Sequence, residues 1–449
     1  MGVDFPPSTT WALGVDLNGT VWLGGGFSRL GGWNQPYLAR ILHDGSVEAS
    51  AALVLDGSVR SLALQQDGKL LVLGAFTQVN GHAQRGIARF EADGTWDESF
   101  RPGIPGHVYA VAVDAQARIW VGGTNVWPEA DEPVGLVRLA SDGSVDASFQ
   151  TRVKGAVYVV LPLPDGRVLV GGQLEEVDGA PASHLILLDS QGRLDPSFQI
   201  TPNGPVHRAA VQADGWAWIL GSFSEVNGQF ANSLARISLE GSWDPSAAVL
   251  GGSAIQALAL SPDGYLWLGG TSGTLQNARW NGIARIITDP PPVDTLTYDG
   301  ETVVWTRGGS APQLVWVRFE ASTGSGTWQL LGYGSWTNGS WRLEGVRLPE
   351  NSRLRARGCV AGGAWWVERL LSPAVPPLQL HVFRHMQPTN LTLRIHGAAG
   401  AAYDILTSTN LRDWSLFRPV TNQAFHTDIE LPVGGETQRY FRAVRRSGP

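Results

Sequence analysis

Hydrophobic and polar residues alternate over short stretches of this chain, as they do in half-buried β-strands. Residues 59–64 (Val-Arg-Ser-Leu-Ala-Leu) show this alternation, and the dipeptide Asp67-Gly68 that follows is typical of a hairpin turn. Residues 69–76 are more continuously apolar, which is expected of a strand whose two faces are both covered. The segment therefore begins with a predicted antiparallel hairpin.

Two further strands are predicted in the same segment. After a loop around Asn80-Gly81, residues 86–90 form a third strand. The turn Asp93-Gly94 then leads into a short fourth strand over residues 96–100. Four antiparallel strands in succession make one small sheet of the kind that is repeated in β-propellers.

This segment is one of six that repeat with a constant step of 49 residues. A turn dipeptide marks each of them: Asn18-Gly19, Asp67-Gly68, Gln116-Ala117, Asp165-Gly166, Asp214-Gly215 and Asp263-Gly264. A glycine follows each second apolar run: Gly25, Gly74, Gly123, Gly172, Gly221 and Gly270. The repeat predicts an all-β fold, a six-bladed β-propeller with four strands in each blade. An array of β-sandwiches is disfavoured, because 49 residues are too few for a seven-stranded domain.

An arginine and an acidic residue recur on the third and fourth predicted strands. Arg89 and Asp97 lie symmetrically about Asp93-Gly94, so we expect them to be cross-strand neighbours. The same pairing is expected of Arg40 with Glu48, Arg138 with Asp146, and Arg236 with Asp244. The fourth segment breaks the rule, since its Asp195 faces Leu187.

The sixth segment ends before its fourth strand, at the sequence Asp289-Pro290-Pro291-Pro292. Val3-Asp4-Phe5, near the start of the chain, resembles the fourth-strand residues 145–149. We therefore expect an N-terminal strand to close the last blade and remove its unpaired edge. In that arrangement Asp4 would be the partner of Arg285.

The repeated text at residues 59–76 and 87–100 resembles the delta-60 repeat family, a bacterial β-propeller family of largely unknown function. The resemblance covers roughly residues 3–290. The third segment departs most, with Gln116-Ala117 in place of Asp-Gly and Asn125 at the position of Phe76. The resemblance implies a secreted or surface-associated bacterial protein and implies no catalytic residues.

The repeat stops at the proline cluster 290–292, and a second cluster lies within residues 373–377. Strand-like runs and hairpin dipeptides such as Asn338-Gly339 continue between and after the clusters. Both segments resemble small β-sandwich modules of secreted bacterial proteins. The predicted domains are therefore a propeller over residues 1–290, an immunoglobulin-like or fibronectin-like β-sandwich over 291–375, and a C-terminal β-sandwich over 376–449.

Composition removes several functional classes. The chain has 449 residues, a net charge of −7 and a sequence pI near 5.7, so no bulk positive charge favours nucleic acid or an anionic membrane. A single cysteine, Cys359, excludes an internal disulfide and a cysteine-rich zinc site. No stretch reaches the ~18 apolar residues of a membrane span. The N-terminal residues lack signal-peptide features, so the protein is either cytoplasmic or a mature form, and the resemblance favours secretion or the cell surface.

The candidate binding residues lie in the loops that follow the second strands. The third and fourth segments are acidic there, at Glu129, Asp131, Glu175, Glu176 and Asp178. The other candidates are aromatic: Trp33, His82, Trp127 and Trp280. An exposed tryptophan stacks well on a sugar ring or on an apolar side chain of a partner. Solvated loop charge and local packing remain the alternative interpretations.

No motif in the chain indicates catalysis. The sequence contains no nucleophile elbow and no phosphate-binding loop. His381 and His385 are four residues apart, but in a strand that spacing does not form a metal chelate. No cofactor is expected; calcium at residues 142–146 (Asp-Gly-Ser-Val-Asp) is the open alternative.

The sequence thus favours a non-catalytic, monomeric binding or adhesion protein that recognises a glycan or a protein through the propeller loop face. The first alternative is a carbohydrate-active enzyme, a hydrolase or lyase, that uses the loop carboxylates of blades three and four. The second alternative is a structural spacer.

Overall fold

The computed structural model describes residues 10–30, 34–48, 54–127, 132–250, 255–271, 273–275, 278–323, 327–349, 352–361, 366–371, 379–384, 390–396, 401–410, 412–422, 426–432 and 440–446. The described chain is built from β-strands, and its one helical segment is a short 3₁₀ helix, Pro245–Leu250. No helix among these residues is long and apolar enough to cross a membrane.

Six antiparallel sheets follow one another over residues 10–287. The first contains β1 (Thr10–Val15), β2 (Val21–Gly25), β3 (Leu38–Ile41) and β4 (Val47–Glu48). The second contains β5 (Val59–Leu64) and β6 (Leu70–Gly74), then a separate hairpin of β7 (Gln78–Val79) and β8 (His82–Ala83), and finally β9 (Ile87–Phe90). The third contains β10 (His107–Val113), β11 (Ile119–Thr124) and β12 (Leu136–Leu139).

The next three sheets repeat this arrangement. The fourth contains β13 (Val153–Pro162), β14 (Val168–Val177), β15 (Ala180–Pro181) and β16 (Leu185–Leu188). The fifth contains β17 (Val206–Val211) and β18 (Trp216–Gly221), the hairpin β19 (Glu225–Val226) and β20 (Gln229–Phe230), then β21 (Leu234–Ser238) and β22 (Trp243–Asp244). The sixth contains β23 (Ile255–Leu260) and β24 (Tyr265–Gly270), the hairpin β25 (Gly273–Leu275) and β26 (Ala278–Trp280), then β27 (Ile283–Ile287).

The core of each sheet lies at its second strand. Every residue of β6 is buried, and β2, β11 and β18 are buried over most of their length. The prediction that these continuously apolar strands are covered on both faces is confirmed. Successive first strands also pack together, with β5 between β1 and β10, and with β13 between β10 and β17. Among the described residues no sheet closes on itself.

The fourth strand is shorter than the sequence predicts. It has two residues in β4 and β22, and in the second sheet it is reduced to a single bridge between Phe90 and Trp96. The reason lies in the next residues: Asp97 Oδ1 accepts hydrogen bonds from Ser99 N at 3.0 Å and Ser99 Oγ at 2.5 Å. This local turn directs the chain away from the sheet after the single bridged residue pair Phe90–Trp96.

The predicted arginine–acid pairs are confirmed. The shortest N–O distances are 2.5 Å for Arg40–Glu48, 2.7 Å for Arg89–Asp97, 2.7 Å for Arg138–Asp146 and 3.7 Å for Arg236–Asp244. Arg40 Nη1 also donates to the Asp93 carbonyl at 2.6 Å, so this arginine links its own sheet to the turn of the next. The predicted closing strand at residues 3–5, with Asp4, lies outside the described residues.

The remainder of the chain forms four more antiparallel sheets. In chain order its strands are β28 (Val293–Tyr298), β29 (Val303–Gly308), β30 (Leu314–Ser322), β31 (Gln329–Tyr333), β32 (Ser335–Thr337), β33 (Ser340–Leu343), β34 (Arg353–Val360), β35 (Trp366–Leu371), β36 (Gln379–Arg384), β37 (Asn390–His396), β38 (Ala402–Ser408), β39 (Ser415–Thr421), β40 (His426–Pro432) and β41 (Tyr440–Arg445). The sheet orders are β28-β29-β33-β32, β31-β30-β34-β35, β36-β37-β40 and β39-β38-β41.

The chain divides into two compact units. The first comprises residues 1–293 together with 307–316 and 358–367, and the second comprises residues 294–306, 317–357 and 368–449. In the first unit, Leu64 packs with Val315, Trp316 and Cys359 in one buried cluster. Burial raises the pKa of the Cys359 thiol to about 12, so this cysteine is a core residue and not a reactive thiol. The predicted division into three domains stays a prediction.

Candidate functional site

The first strand of every one of the six sheets carries a β-bulge at the same repeat position. In the second sheet, for example, Val59 pairs with Gly74 and Ser61 pairs with Leu73, so Arg60 is the extra residue. The bulged residues of the six sheets are Trp11, Arg60, Tyr109, Tyr158, His207 and Gln256, each 49 positions after the last. A bulge re-aims a side chain, and such bulges are common beside functional sites.

The recurring glycine of the second strand leaves room for the backbone of the first strand next to the bulge. A Cβ placed on Gly74 would lie 2.0 Å from the carbonyl oxygen of Ser58, the residue before the bulged strand. The corresponding backbone oxygen would lie 2.0 to 2.1 Å from a Cβ at Gly123, Gly172 or Gly221. The recurring glycine therefore reflects a close approach of two backbones.

A cavity of about 670 Å³ lies within the first unit, lined by the first strands of all six sheets. Trp11, Arg60, Tyr109, Tyr158 and His207 line it directly. Each of five sheets thus contributes one aromatic or basic side chain, that of its bulged residue, to the same cavity. The loops between the second and third strands begin beside the bulges. In the second sheet, Gly74 pairs with Val59, the neighbour of the bulged Arg60, and the loop 75–85 follows directly after Gly74.

Four of these bulged residues form a continuous series of side-chain contacts. The Arg60 guanidinium lies 5.2 Å from the Tyr109 ring centre, within the range of a cation–π interaction. The Tyr109 and Tyr158 ring centres are 5.3 Å apart, and those of Tyr158 and His207 are 5.4 Å apart. Tyr109, Tyr158 and His207 are half-buried. Mutual contact holds these rings in place while part of each remains open to a ligand.

Electrostatics in the cavity are dominated by basic groups. Arg208, next to the bulged His207, also lines the cavity, and its Nη1 donates to the His207 carbonyl at 2.8 Å. Burial lowers the pKa of Arg208 although solvent reaches its side chain, as expected of a charge recessed in a cavity. Burial, and then the charge of Arg208, lower the pKa of His207, whose Nε2 is hydrogen-bonded to Ser222 Oγ at 2.9 Å. His207 is therefore neutral at pH 7. Burial, and then Tyr109, raise the pKa of Tyr158.

The aromatic candidates of the loops lie in several different settings. Trp33 lies outside the described residues. His82 is exposed in β8, with its ring centre 5.8 Å from that of Trp96. Trp127 is half-buried and stacks on Phe149 with 6.2 Å between ring centres, and Trp280 is only 7% exposed. Among the described members of this set, His82 is the exposed ring.

The acidic candidates are partly used by the loops themselves. Glu129 and Asp131 lie outside the described residues. Glu175 is exposed, and Glu176 Oε1 lies 3.5 Å from Lys154 Nζ.

Asp178 has a turn-forming role. Its φ is +51°, the value also found at Asn80 and Asn227 in the equivalent hairpins. Its Oδ1 accepts a hydrogen bond from Arg152 N at 2.8 Å, as Asn80 Oδ1 does from Val54 N at 2.9 Å. The structure therefore gives Asp178 the part that an asparagine plays in the neighbouring repeats.

The alternative calcium position contains no assembled ligand set. Asp142 Oδ1 accepts from Ser144 N and Oγ at 2.9 and 2.7 Å, and Asp146 Oδ1 accepts from Ser148 N and Oγ at 3.0 and 2.7 Å. Across the part of the chain that the structure describes, no three His, Cys, Asp or Glu side chains are grouped to hold a metal ion.

The sequence reasoning assigned the site to the loops and missed the cavity residues. Two signals pointed to them. Position 60 and its equivalents vary between Trp, Arg, Tyr, His and Gln while the flanking positions stay mostly apolar. In addition, two successive polar residues, Arg60-Ser61, interrupt an otherwise alternating strand, which is the pattern that one inserted bulge residue creates.

Comparison with known proteins supports a β-propeller repeat. The family described as "domain of unknown function (DUF5122) beta-propeller" matches residues 65–100, 134–149, 163–198 and 212–246, so these segments are similar to the repeats of a β-propeller family. No curated protein matches the chain.

Several solved structures are distantly similar. Selenomethionine-substituted virginiamycin B lyase from Staphylococcus aureus and a streptogramin B lyase are each 14% identical with a TM-score of 0.41. The alignments cover 69% of this chain in both cases and 96% and 95% of those chains. A tetra-tandem repeat from the extending region of a large adhesion protein is 12% identical with a TM-score of 0.16, covering 90% of this chain and 85% of that one.

Proposed function

We propose that this chain is a non-catalytic binding protein, secreted or on the cell surface, that recognises a ligand at the bulge-bearing face of its propeller. The observation that carries the proposal is the ring of bulged side chains around one cavity. Five of these side chains are aromatic or basic and line the same cavity, an arrangement suited to contact with a ligand. The location outside the cell rests on the resemblance of the repeats alone.

The form of the cavity favours a glycan over a protein partner. Its volume of about 670 Å³ falls within the roughly 300–1,000 Å³ that is typical of small-ligand sites. Stable protein interfaces instead use about 800 Å² of surface on each partner. The half-buried rings of Tyr109 and Tyr158 offer faces on which a pyranose ring can stack.

The test compares cavity and loop variants on a glycan array and in a pull-down with surface proteins. We expect Tyr109→Ala/Tyr158→Ala to lose glycan binding and His82→Ala/Glu175→Ala to retain it. Phe230→Ala, which removes an exposed ring from the loop hairpin of the fifth sheet, is the matched control. Loss of binding in the loop variant alone would place the site in the loops. Capture of a protein and no glycan would refute the choice of ligand.

The two alternatives give different results in the same assays. A carbohydrate-active enzyme would release new sugar ends from the bound glycan, and Glu176→Ala would stop this release without stopping binding. A structural spacer would bind nothing on the array and nothing in the pull-down. Either result would refute the proposed function.

We propose further that the six sheets are the blades of a six-bladed propeller, closed by residues 3–5 against β27. This is supported by the 49-residue step, by the packing of successive first strands, and by the sixth sheet, which has three long strands and no fourth among the described residues. Deletion of residues 1–7 should lower the melting temperature or cause association through the exposed edge. A truncated chain that melts unchanged as a monomer would refute the closure.

The same reasoning extends to the C-terminal part of the chain. We propose that its four sheets form two small β-sandwich modules, one from the two sheets before residue 372 and one from the two sheets after residue 378. Their resemblance to modules of secreted bacterial proteins suits a spacer or an attachment to the cell surface. Separate expression of residues 291–375 and 376–449 tests this, because two independent modules would each unfold cooperatively.

A further inference from the structure

The charge of the cavity is opposite to that of the whole protein. The chain carries a net charge of −7, yet the described residues that line the cavity include the cationic side chains of Arg60 and Arg208 and no carboxylate. The field inside a concave site depends on the nearest charges, since more distant ones are screened over about 10 Å in 0.1 M salt. The cavity is therefore a local positive region on an acidic protein.

The two arginines of the cavity differ from those of the repeat column. Arg89 and Arg138 are each bound to a carboxylate of the neighbouring strand at 2.7 Å. Among the residues that the structure describes, neither Arg60 nor Arg208 forms such a pair. Arg60 faces the Tyr109 ring, and Arg208 makes one hydrogen bond to a backbone carbonyl. Most N–H groups of both guanidinium groups are left for a ligand.

A guanidinium that lines a cavity without a counter-ion offers its charge and its N–H donors to an anion. Burial lowers the pKa of Arg208, although solvent reaches its side chain. The planar fork of N–H donors matches the two oxygens of a carboxylate. The adjacent rings of Tyr109 and Tyr158 offer apolar faces beside this anion position.

We propose that the cavity binds an acidic sugar, with a uronic acid carboxylate held by Arg60 or Arg208 and a sugar ring stacked on the tyrosines. This inference rests on the proposed function and specifies its ligand. The carboxylate supplies the missing counter-charge, and the pyranose ring supplies the apolar face that an inorganic anion lacks.

The experiment is a calorimetric titration of the full chain with trigalacturonic acid and with its fully methyl-esterified form at low salt. The wild type should bind the free acid and bind the ester at least about tenfold more weakly, because the ester loses the charge-assisted hydrogen bonds. Arg60→Gln/Arg208→Gln should weaken binding of the acid by a similar factor. The matched control is Arg193→Gln/Arg418→Gln, which removes the same charge from exposed positions outside the cavity and should change the affinity less than about twofold.

Each other outcome contradicts the inference. Equal binding of acid and ester would show a neutral ligand and leave the proposed binding function intact. Loss of affinity in the control as well as in the cavity variant would show non-specific attraction. Competition by inorganic sulfate as strong as by the trisaccharide would show an anion site without sugar recognition. Failure of every glycan on the array would refute the proposed function itself, whereas binding of neutral glycans alone would refute only this inference.

Discussion

The close contact between Gly74 and the strand that carries the bulge predicts a severe effect of one added methyl group. In Gly74→Ala, the new Cβ would lie 2.0 Å from the Ser58 carbonyl oxygen and 2.9 Å from both the Ser58 carbonyl carbon and Val59 Cα. All three are backbone atoms, so no side chain can rotate away. Heavy atoms that are not bonded prefer a separation of about 3.5 Å, and the two strands must therefore move apart by more than about 1 Å.

The expected loss of stability follows from what that movement breaks. Ala75 N donates to Ser58 O at 2.8 Å, across the gap between the two strands that move apart. Weakening this backbone hydrogen bond costs about 1 kcal/mol, and overpacking a strand pair costs about 1–3 kcal/mol. We expect Gly74→Ala to lower the free energy of unfolding by about 2–4 kcal/mol.

The assay is urea denaturation of Gly74→Ala beside a matched control, Gly269→Ala. Gly269 lies in β24, and a Cβ there would meet Ala257 Cβ at 3.6 Å, an ordinary contact. The control should change stability by less than about 0.5 kcal/mol or raise it slightly, because alanine loses less backbone entropy than glycine on folding. If both variants unfold at the same urea concentration, the explanation of the glycine column by the bulge is wrong.

Three further predictions concern charges. Arg89→Leu should destabilise the protein by about 2–3 kcal/mol, measured by urea denaturation, because it leaves the half-buried Asp97 carboxylate with only the more distant Lys69, at 3.5 Å, as a cationic partner; a change below about 0.5 kcal/mol would contradict this. Burial raises the pKa of Asp97, but hydrogen bonds from Ser99 and Arg89 outweigh burial and lower that pKa to about 2. The ionised Asp97 carboxylate therefore stabilises the fold above pH 4, and this stabilisation is lost between pH 4 and 2. Wild type should be more stable than Asp97→Asn by about 1–2 kcal/mol after allowance for solvent screening. In acid titrations this difference should shrink between pH 4 and 2, and a constant difference would refute the prediction. Affinity for trigalacturonic acid should rise as the pH falls below 6.5 and His207, which is faced by Tyr158 and Arg208 and whose pKa is lowered, gains a proton, and His207→Gln should abolish that rise in calorimetry.

The repeating part of the fold could be predicted because its signals are local. The turn Asp93-Gly94 fixes which residues of the flanking strands face each other, and this was enough to pair Arg89 with Asp97. The short fourth strand was overestimated because Asp97 and Ser99 form a turn of their own, which competes with the sheet through side-chain hydrogen bonds. Strand alternation alone does not reveal that competition.

The site was harder to predict because it depends on how six strands are arranged around one cavity. Tyr109 and Tyr158 are 49 residues apart, and nothing in either repeat indicates that their rings lie 5.3 Å from each other. Loop residues, in contrast, look available in a sequence even when the structure buries them, as it does Trp280. The variable position inside an otherwise regular strand was the signal for the side chains that line the cavity.

The most direct test of the account is an experimental structure of the full chain with trigalacturonic acid bound. The account predicts a sugar ring in the cavity against Tyr109 or Tyr158, with a carboxylate oxygen within about 3 Å of a guanidinium nitrogen of Arg60 or Arg208. A sugar ordered instead on the loops near His82 or Glu175, with only solvent in the cavity, would contradict it.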